Sequence, residues 1–207
     1  LVLRDCDAKV LIALNDLFES VAVDVLPLTN VELAITTAID DLDSVRRDQT
    51  GVATPALPLA SLLDDWEGAT PEPVVLMPDD VASIVYTSGT SGPPKGVLNT
   101  HRNLVHNARV YEVWMGIGPE DVFLCGTPLF HITGLVAGIA LSHRTGMPLV
   151  LFHRFDAKEC ARLAERWRCT FTIMAMTASR SLMQDGGIAE RDLSTLSKVY
   201  IGGASLA

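Results

Sequence analysis

The sequence has 207 residues, of which 48% are hydrophobic, and this is enough for one ordinary domain with a sizeable core. Its formal net charge is −9, from 16 basic and 25 acidic side chains, and no stretch forms a basic cluster. We therefore expect no binding to nucleic acid, although backbone N–H groups can still bind an anionic ligand on an acidic protein. The longest apolar run, around Gly134–Leu141, is too short to cross a bilayer, so we expect no transmembrane segment.

The cysteines indicate a cellular context, and the two ends of the chain indicate a longer parent protein. The four cysteines form no C-x-x-C pair and have no histidine partners at metal-ligand spacing, so we assign no metal site and expect buried, reduced thiols in a cytoplasmic protein. The chain does not begin with Met, and it stops just after a strand-like segment and a Gly-Gly pair. We expect both ends to lie inside a longer protein.

Strand-like and helix-like segments alternate along the chain. The predicted strands are Ala8–Leu14, Val21–Val25, Ser83–Thr87, the residues after Lys95, Val122–Gly126, Pro148–Phe152, Thr170–Met174 and Lys198–Ile201. The predicted helices are Leu59–Trp66, His101–Met115, Gly134–Ser142, Asp156–Trp167 and a segment near Thr177–Gln184. Residues 44–80 are rich in Pro and predict a long irregular connection around the first of these helices. The alternation predicts an α/β fold, with a largely parallel sheet and helices on both faces.

Two of the predicted helices carry recognisable capping residues. Asn99 or Thr100 is placed to cap the helix that begins at His101. Asp156 and Glu159 have the spacing of a capping box, with Asp in place of the usual Ser or Thr.

The segment Ile84–Gly96, which reads IVYTSGTSGPPKG, predicts a binding site for phosphate. A strand leads into a loop of hydroxyl residues and glycines, closed by two prolines and a lysine: Ser88, Thr90, Ser91, Gly89, Gly92, Pro93, Pro94 and Lys95. Glycines let backbone N–H groups turn toward one centre, hydroxyls add donors, and the lysine supplies one positive charge, which together suit a polyphosphate. The competing interpretation is a flexible Ser/Gly surface linker.

This loop differs from the common P-loop, G-x-x-x-x-G-K-[ST]. Lys95 is followed by Gly96 and then by a strand-like segment, so the N-terminus of a helix is not the expected phosphate cradle. Instead the loop resembles the signature T-S-G-T-[ST]-G-x-P-K-G of the adenylate-forming superfamily, which includes acyl-CoA synthetases, luciferases and the adenylation domains of peptide synthetases.

The resemblance continues along the whole chain, in the family's order. Leu3–Ile12 resembles its L-x-D-x-x-A-K-V-L-I stretch, and Thr100–Asn103 its T-H-x-N helix start. Pro128–Gly134 resembles the P-L-F-H-x-x-G segment. Asp192–Leu196, followed by Gly202-Gly203-Ala204, resembles D-L-S-S-L … G-G-A-P-L.

The resemblance implies an incomplete large N-terminal adenylation domain over residues 1–207, whose parent protein is an AMP-forming acyl-CoA synthetase. Such enzymes join a carboxylate to the α-phosphate of ATP, with help from Mg²⁺, and then pass the acyl group to coenzyme A. The implied clamp on the β- and γ-phosphates consists of Thr87, Ser88, Gly89, Thr90, Ser91, Gly92 and Lys95. Gly202, Gly203 and Ala204 are the implied adenine contacts. His131 is implied to line the acyl-carboxylate pocket, so His131 and Lys95 are the candidate catalytic residues.

Some features of the family pattern are changed or absent. Ala175-Met176-Thr177-Ala178 stands where the family often has G-V-P-T, and Ser205 replaces the Pro of G-G-A-P-L. No Y-G-x-T-E segment, ribose-binding Asp or C-terminal domain with its catalytic Lys is found, and all three would lie beyond Ala207. We therefore expect the 207-residue chain to be inactive alone.

Three interpretations stay open at this point. Besides an acyl-CoA synthetase, the chain could come from an adenylation domain for amino acids or aryl acids, or from a non-catalytic nucleotide-binding module. Amino-acid adenylation domains usually have an Asp after the Phe that corresponds to Phe130, whereas this chain has His131. The apolar stretches Leu135–Leu141 and Thr172–Met176 suit a hydrocarbon tail, so we expect a fatty or aryl acid as substrate.

Overall fold

The structure is a computed structural model that describes residues 1–38, 56–87, 92–185 and 187–202. The chain divides into two compact units. The first comprises Leu1–Leu76 and Tyr86–Val97, and the second comprises Met77–Val85 and Leu98–Ala207.

The first unit is built around a small parallel sheet. Its strands β1 (Val10–Leu14), β2 (Leu33–Thr37) and β3 (Leu57–Pro58) lie in that order, and both neighbouring pairs are parallel. Its helical segments are α1 (Val2–Asp5), α2 (Asn15–Leu17), a π-helical turn (Phe18–Ala22), α3 (Val23–Val25), a 3₁₀ turn (Leu26–Leu28) and α4 (Leu59–Asp65). The last of these falls at the helix expected within the Pro-rich connection, and no helix or strand follows it among the described residues up to 80.

The prediction of a strand at Val21–Val25 was wrong, because this segment is helical. Its alternating valines are typical of a strand, but β propensity is weak compared with tertiary packing. Phe18 is fully buried and lies four residues before the half-buried Ala22, which is helical spacing. The strand that does pair with β1 is β2, whose three central residues are buried.

Two further strands flank the predicted phosphate loop. They are β4 (Val81–Thr87) and β5 (Lys95–Thr100), and they pair with each other in a two-stranded sheet. This confirms the predicted strands on both sides of the loop. The division between the units passes through both of them, so that Tyr86, Thr87 and Lys95 belong to the first unit.

The second unit contains a four-stranded parallel sheet in the order β7-β6-β8-β9. The strands are β6 (Phe123–Leu124), β7 (Leu149–Val150), β8 (Phe171–Ala175) and β9 (Lys198–Gly202). The helical segments are α5 (His101–Met115), a π-helix (Gly134–Ala140), α6 (Leu141–Thr145), α7 (Ala157–Arg166), α8 (Met176–Asp185) and a 3₁₀ turn (Ile188–Glu190). Both predicted caps are confirmed, since Thr100 accepts from the Asn103 N–H and Asp156 accepts from the Glu159 N–H.

Helices cover both faces of this sheet. Alternate residues of β8 point to opposite sides, so Phe171 and Ile173 pack in one core with α5 and the π-helix, while Met174 packs in a second core with α7 and α8. The predicted α/β class, with parallel strands and helices on both faces, is therefore confirmed, although the described strands are distributed over three sheets.

A buried ion pair fixes the amino ends of the strands in the second unit. The Asp121 side chain is only 3% exposed. Its carboxylate lies 2.7 Å from the Nζ of Lys198, the first residue of β9. The same carboxylate accepts from the Thr170 hydroxyl at 2.6 Å and from the Gly118 N–H at 2.9 Å. Lys198 also donates to the Gly116 carbonyl, just after α5. One carboxylate thus connects the starts of β6, β8 and β9.

The charge state of Asp121 follows from these contacts. Burial alone would raise the pKa of Asp121, but hydrogen bonds from Lys198, Thr170 and the Gly118 N–H, together with the charge of Lys198, hold it below its ordinary value of 3.8. The carboxylate therefore contributes stability at neutral pH that is lost as the pH falls through its lowered folded-state pKa.

A tight turn carries the chain from β6 into the π-helix. The helix begins at Gly134, and a Cβ atom added there would lie 2.7 Å from the Pro128 carbonyl carbon and closer still to its oxygen. It would also lie 3.0 Å from the Leu129 Cα. Only a residue without a side chain fits this approach, which explains the Gly of the P-L-F-H-x-x-G segment.

Replacing Lys198 with Met should lower the free energy of unfolding by about 3 kcal/mol, because the Asp121 carboxylate would stay buried without its counter-charge. The difference from wild type, measured by urea unfolding, should narrow as the pH falls, because a protonated Asp121 no longer needs the counter-charge. Lys158→Met, at an exposed position on α7, is the matched control and should change stability by less than about 0.5 kcal/mol. Equal effects of the two substitutions would contradict this role for the ion pair.

Replacing Gly134 with Ala should lower the free energy of unfolding by about 3 kcal/mol, because the new methyl group meets backbone atoms that cannot rotate away. Gly138→Ala in the same π-helix is the control. Its Cβ would lie 3.3 Å from the flexible end of Leu129, which can move. Thermal unfolding of both variants tests the claim, and a Gly134→Ala protein as stable as Gly138→Ala would refute it.

Candidate functional site

His131 lies beyond the carboxyl end of β6, in the turn that leads to the π-helix. Its backbone N–H donates to the Pro128 carbonyl at 3.0 Å, and its carbonyl accepts from the Leu135 N–H at 3.0 Å. The residue is exposed. In parallel α/β sheets, ligands bind outside the carboxyl ends of the strands, and His131 lies at that edge.

The imidazole of His131 has one nitrogen engaged and one available. Its Nδ1 accepts a hydrogen bond from the Thr133 N–H at 3.2 Å, so in the neutral ring the proton is on Nε2. This arrangement leaves an Nε2–H donor on an exposed ring. It can donate to a carboxylate or carbonyl oxygen without any change in the turn.

A cavity of about 730 Å³ opens at the same edge of the sheet. It is formed by the segments that follow β6, β7 and β8 and by the first turns of α8. The lining residues are Cys125, Gly126, Thr127, Pro128, Leu129, Phe130, Leu151, Phe152, His153, Phe155, Ala175, Thr177, Ala178 and Ser181. Most of this lining is apolar. None of these described residues is acidic, so the cavity wall offers no carboxylate to pair with a buried ammonium group.

Aromatic rings form a large part of the cavity wall. Phe152 and Phe155 contact each other edge to face, with ring centroids 6.2 Å apart. Phe130, immediately before His131, is 85% exposed at the cavity. An exposed phenyl ring beside an apolar cavity is typical of a surface that a ligand covers.

Two polar side chains of the cavity wall are buried. The Cys125 thiol donates to the Thr127 carbonyl at 3.3 Å, and burial raises the pKa of Cys125, an effect that Thr127 partly offsets. The Thr127 hydroxyl is buried and has no hydrogen-bond partner of ordinary geometry among the described residues. A buried hydroxyl without a partner is costly, so a ligand or water that paired with it would be favoured at this place.

The described part of the predicted phosphate site lies in the first unit. Thr87 is the last residue of β4, and Lys95 is the first residue of β5. The side chain of Lys95 is exposed. Gly92 is also exposed, and a Cβ added there would meet no atom within 4 Å. The expected residues Ser88, Gly89, Thr90 and Ser91 lie outside the described residues.

The described part of the predicted adenine segment lies in the second unit. Gly202 ends β9 and pairs with Ala175 of β8, one of the residues that line the cavity. Gly203 and Ala204 lie outside the described residues. Gly202 and His131 thus share the carboxyl edge of one sheet, whereas Thr87, Gly92 and Lys95 belong to the other unit.

Several cavity residues were missed by the sequence interpretation. Phe152, Phe155 and Ser181 carry no motif. Phe152 and Phe155 lie at and just after the end of the predicted strand Pro148–Phe152, which could have pointed to them, whereas Ser181 lies inside a helix and had no such signal. The stretch Leu135–Leu141, expected to suit a hydrocarbon tail, does not line this cavity. Its buried members Ala137 and Leu141 pack in the core against α5 instead.

Two kinds of feature are absent among the described residues. No group of three or more His, Cys, Asp or Glu side chains among them could hold a metal ion. No helix among them has the length and hydropathy needed to span a membrane. All four cysteines are free thiols, and three of them are buried.

Comparison with known proteins agrees with the motifs. The whole chain, residues 1–207, matches the family model described as AMP-binding enzyme. It is 32% identical over 207 residues to the medium-chain fatty-acid–CoA ligase of Escherichia coli (strain K12), covering 99% of this chain and 35% of that protein. It is 35% identical over 176 residues to 4-coumarate–CoA ligase 2 of Oryza sativa subsp. japonica, covering 81% and 30%.

Solved structures show the same likeness. A long-chain-fatty-acid–CoA ligase from Archaeoglobus fulgidus superposes with a TM-score of 0.79 at 27% identity, over 100% of this chain and 38% of that one. An anthranilate CoA ligase, solved with anthranoyl-AMP, superposes with a TM-score of 0.85 at 22% identity, over 99% and 38%, which shows the shared fold. The chain spans about a third of the length of these relatives. Because the family model matches the chain from end to end, this protein belongs to the AMP-binding enzyme family.

Proposed function

We propose that the complete protein is an AMP-forming acyl-CoA synthetase, and that this chain supplies the phosphate loop and part of the organic-substrate site. The observation that carries the proposal is the phosphate-loop sequence between two paired strands, in a chain that matches the family throughout. The curated relatives named above are a fatty-acid–CoA ligase and a 4-coumarate–CoA ligase.

The proposed reaction has two steps. An oxygen of the carboxylate attacks the α-phosphorus of ATP, and the bond to pyrophosphate breaks, giving an acyl adenylate. The thiol of coenzyme A then attacks the acyl carbon as its proton leaves, and AMP departs with the electrons of the broken C–O bond. The first step brings two anions together, so positioning and charge neutralisation should dominate catalysis.

The residues of this chain have separate parts in that scheme. Lys95 places a positive charge at the end of the loop, where it would neutralise the β- and γ-phosphates. The N–H and hydroxyl groups of residues 87–92 would donate hydrogen bonds to the same phosphates. His131 would donate its Nε2–H to an oxygen of the reacting acid. Gly202 would let the adenine approach the backbone. Mg²⁺ is expected from the family, but the described residues offer it no ligand cluster, so we assign it no step.

The cavity supports an apolar acid as substrate. Its wall is largely aliphatic and aromatic, and it is large enough to hold an organic substrate, either the acyl group or the thiol-bearing arm of coenzyme A. An amino-acid substrate would bring a buried ammonium group, and an unpaired buried charge costs several kcal/mol, on the order of 3–5 kcal/mol. Neither His131 nor the cavity lining offers the carboxylate that such a group needs.

In the complete enzyme, Lys95→Ala should slow adenylate formation by about 10²–10³-fold, because one charge-stabilising group is lost. Lys158→Ala is the control, since this lysine is exposed on α7 and has no part in the proposed site. Carboxylate-dependent exchange of pyrophosphate into ATP measures the step. Activity of Lys95→Ala within twofold of wild type would contradict the phosphate-clamp assignment.

Gly92→Ala complements this test. No described atom obstructs a Cβ at Gly92, and its φ lies outside the left-handed region, so the fold should tolerate the change. A weaker affinity for ATP with unchanged stability would then report close approach of the nucleotide to this backbone.

The substrate class can be tested with the complete enzyme. We expect medium- or long-chain fatty acids, or an aryl acid, to release pyrophosphate in the presence of ATP and Mg²⁺, and amino acids to be inert. Adding coenzyme A should convert the active acids to thioesters. Selective turnover of one amino acid, with fatty and aryl acids inert, would instead identify an amino-acid adenylation domain.

A further inference from the structure

The segment at the start of the chain has no part in the function proposed so far. Leu3–Ile12 resembles a family motif whose acidic residue is Asp5, the last residue of α1. In the structure this carboxylate has a distant partner. The Tyr86 hydroxyl, 81 residues away in the sequence, donates to Asp5 Oδ2 at 2.6 Å.

This hydrogen bond joins a phenol to a carboxylate, which makes it stronger than a bond between neutral groups. The hydrogen bond to Asp5 raises the pKa of Tyr86 well above its ordinary value, and burial and the nearby Asp5 and Cys6 add to the shift. The phenol therefore stays protonated and remains a donor throughout the neutral range.

The short helix that carries Asp5 is itself held in place. The Asp5 N–H donates to the Leu1 carbonyl at 3.0 Å, and the Cys6 N–H donates to the Val2 carbonyl at 3.1 Å. The Ala8 N–H then bonds to the Leu3 carbonyl at 3.0 Å, just before β1, which pairs with β2 along all five of its residues. Two residues after Asp5, the Asp7 carboxylate accepts from the Asn30 side-chain amide at 2.7 Å, which ties this segment to the chain just before β2.

Tyr86 is placed where the phosphate loop starts. It is the penultimate residue of β4, and Thr87, the first expected phosphate contact, follows it directly. Asp5, Tyr86, Thr87 and Lys95 all belong to the first unit. A restraint on the Tyr86 side chain therefore acts on the backbone from which the loop departs.

We propose that Asp5 is a positioning residue for ATP, which holds the Tyr86 hydroxyl and so fixes the end of β4 where the phosphate loop begins. Donors that are fixed before the nucleotide arrives need no reorganisation when it binds. The effect should fall on ATP, because the restraint acts on the loop and not on the organic-substrate cavity. This inference rests on the proposed function, since it needs the loop to bind phosphate.

The test uses the complete enzyme with Asp5→Ala, Tyr86→Phe, the double variant and Asp5→Asn. Each of the first two should raise the KM for ATP on the order of tenfold, as expected for loss of a charge-assisted hydrogen bond that is partly exposed, and leave the KM for the acid within about twofold. The double variant should be no worse than Asp5→Ala, because both changes remove one interaction. Asp5→Asn should recover much of the loss, because its amide oxygen can still accept. Asp24→Ala, at another exposed acidic residue of the same unit, is the control.

Several outcomes would overturn the inference. The first is an unchanged KM for ATP, and the second is additive effects in the double variant. The third is a parallel increase in the KM for ATP and the KM for the acid with a lower free energy of unfolding, which would show that the contact is merely structural. A wild-type enzyme without carboxylate-dependent pyrophosphate exchange would refute the proposed function instead. In that case calorimetric titration of the same variants with ATP decides the inference, because a tenfold loss of affinity supports it and equal affinities refute it.

Discussion

Parallel pairing in the second unit is the constraint on which the rest of its structure depends. Because β6, β7, β8 and β9 run in one direction, every connection that follows them leaves at the same edge. This brings the turn with His131, the aromatic residues after β7, the start of α8 and Gly202 to one side of the sheet. The strands all begin at the opposite edge of the sheet. There Asp121, just before β6, contacts Lys198 of β9 and Thr170, just before β8. One edge is thus held by a buried ion pair, while the other carries the cavity.

Periodicity and capping residues predicted the long elements correctly, and tertiary packing decided the others. α5 has the predicted bounds, because Thr100 caps its start and Gly116 ends it in a left-handed conformation that glycine adopts freely. The valine-rich segment 21–25 has no such local signal, and in the structure it continues the helical run that begins at Asn15. The π-helix at Gly134–Ala140 could not be predicted from periodicity, since every residue of this segment is glycine or apolar and no polar face marks the turns.

Around the cavity, a sequence motif marked a residue that the backbone restricts, whereas side chains that only geometry selects were missed. Gly134 stands in a motif because the Pro128 backbone leaves no room for a Cβ atom, and this restriction is visible in the sequence. Phe155 and Ser181 line the cavity because of the connection that carries them, and many other side chains could do so. Contacts between distant residues, such as Asp5 with Tyr86, have no local signal at all. They are found only when the fold brings the two segments together.

In the proposed reaction, phosphate and the organic acid would be bound by different parts of this chain. The loop flanks carry a charge and glycines suited to phosphate, which is the same in every reaction of this type. The cavity wall in the second unit carries aliphatic and aromatic side chains, which suit the apolar part of an acid that differs between enzymes. The chain is 32% identical to a fatty-acid–CoA ligase and 35% identical to a coumarate–CoA ligase, so overall similarity does not distinguish the two substrate classes. In the proposed enzyme, substrate choice at this cavity would depend on the side chains at and after the carboxyl ends of β6, β7 and β8, such as Leu129, Phe152 and Ala175.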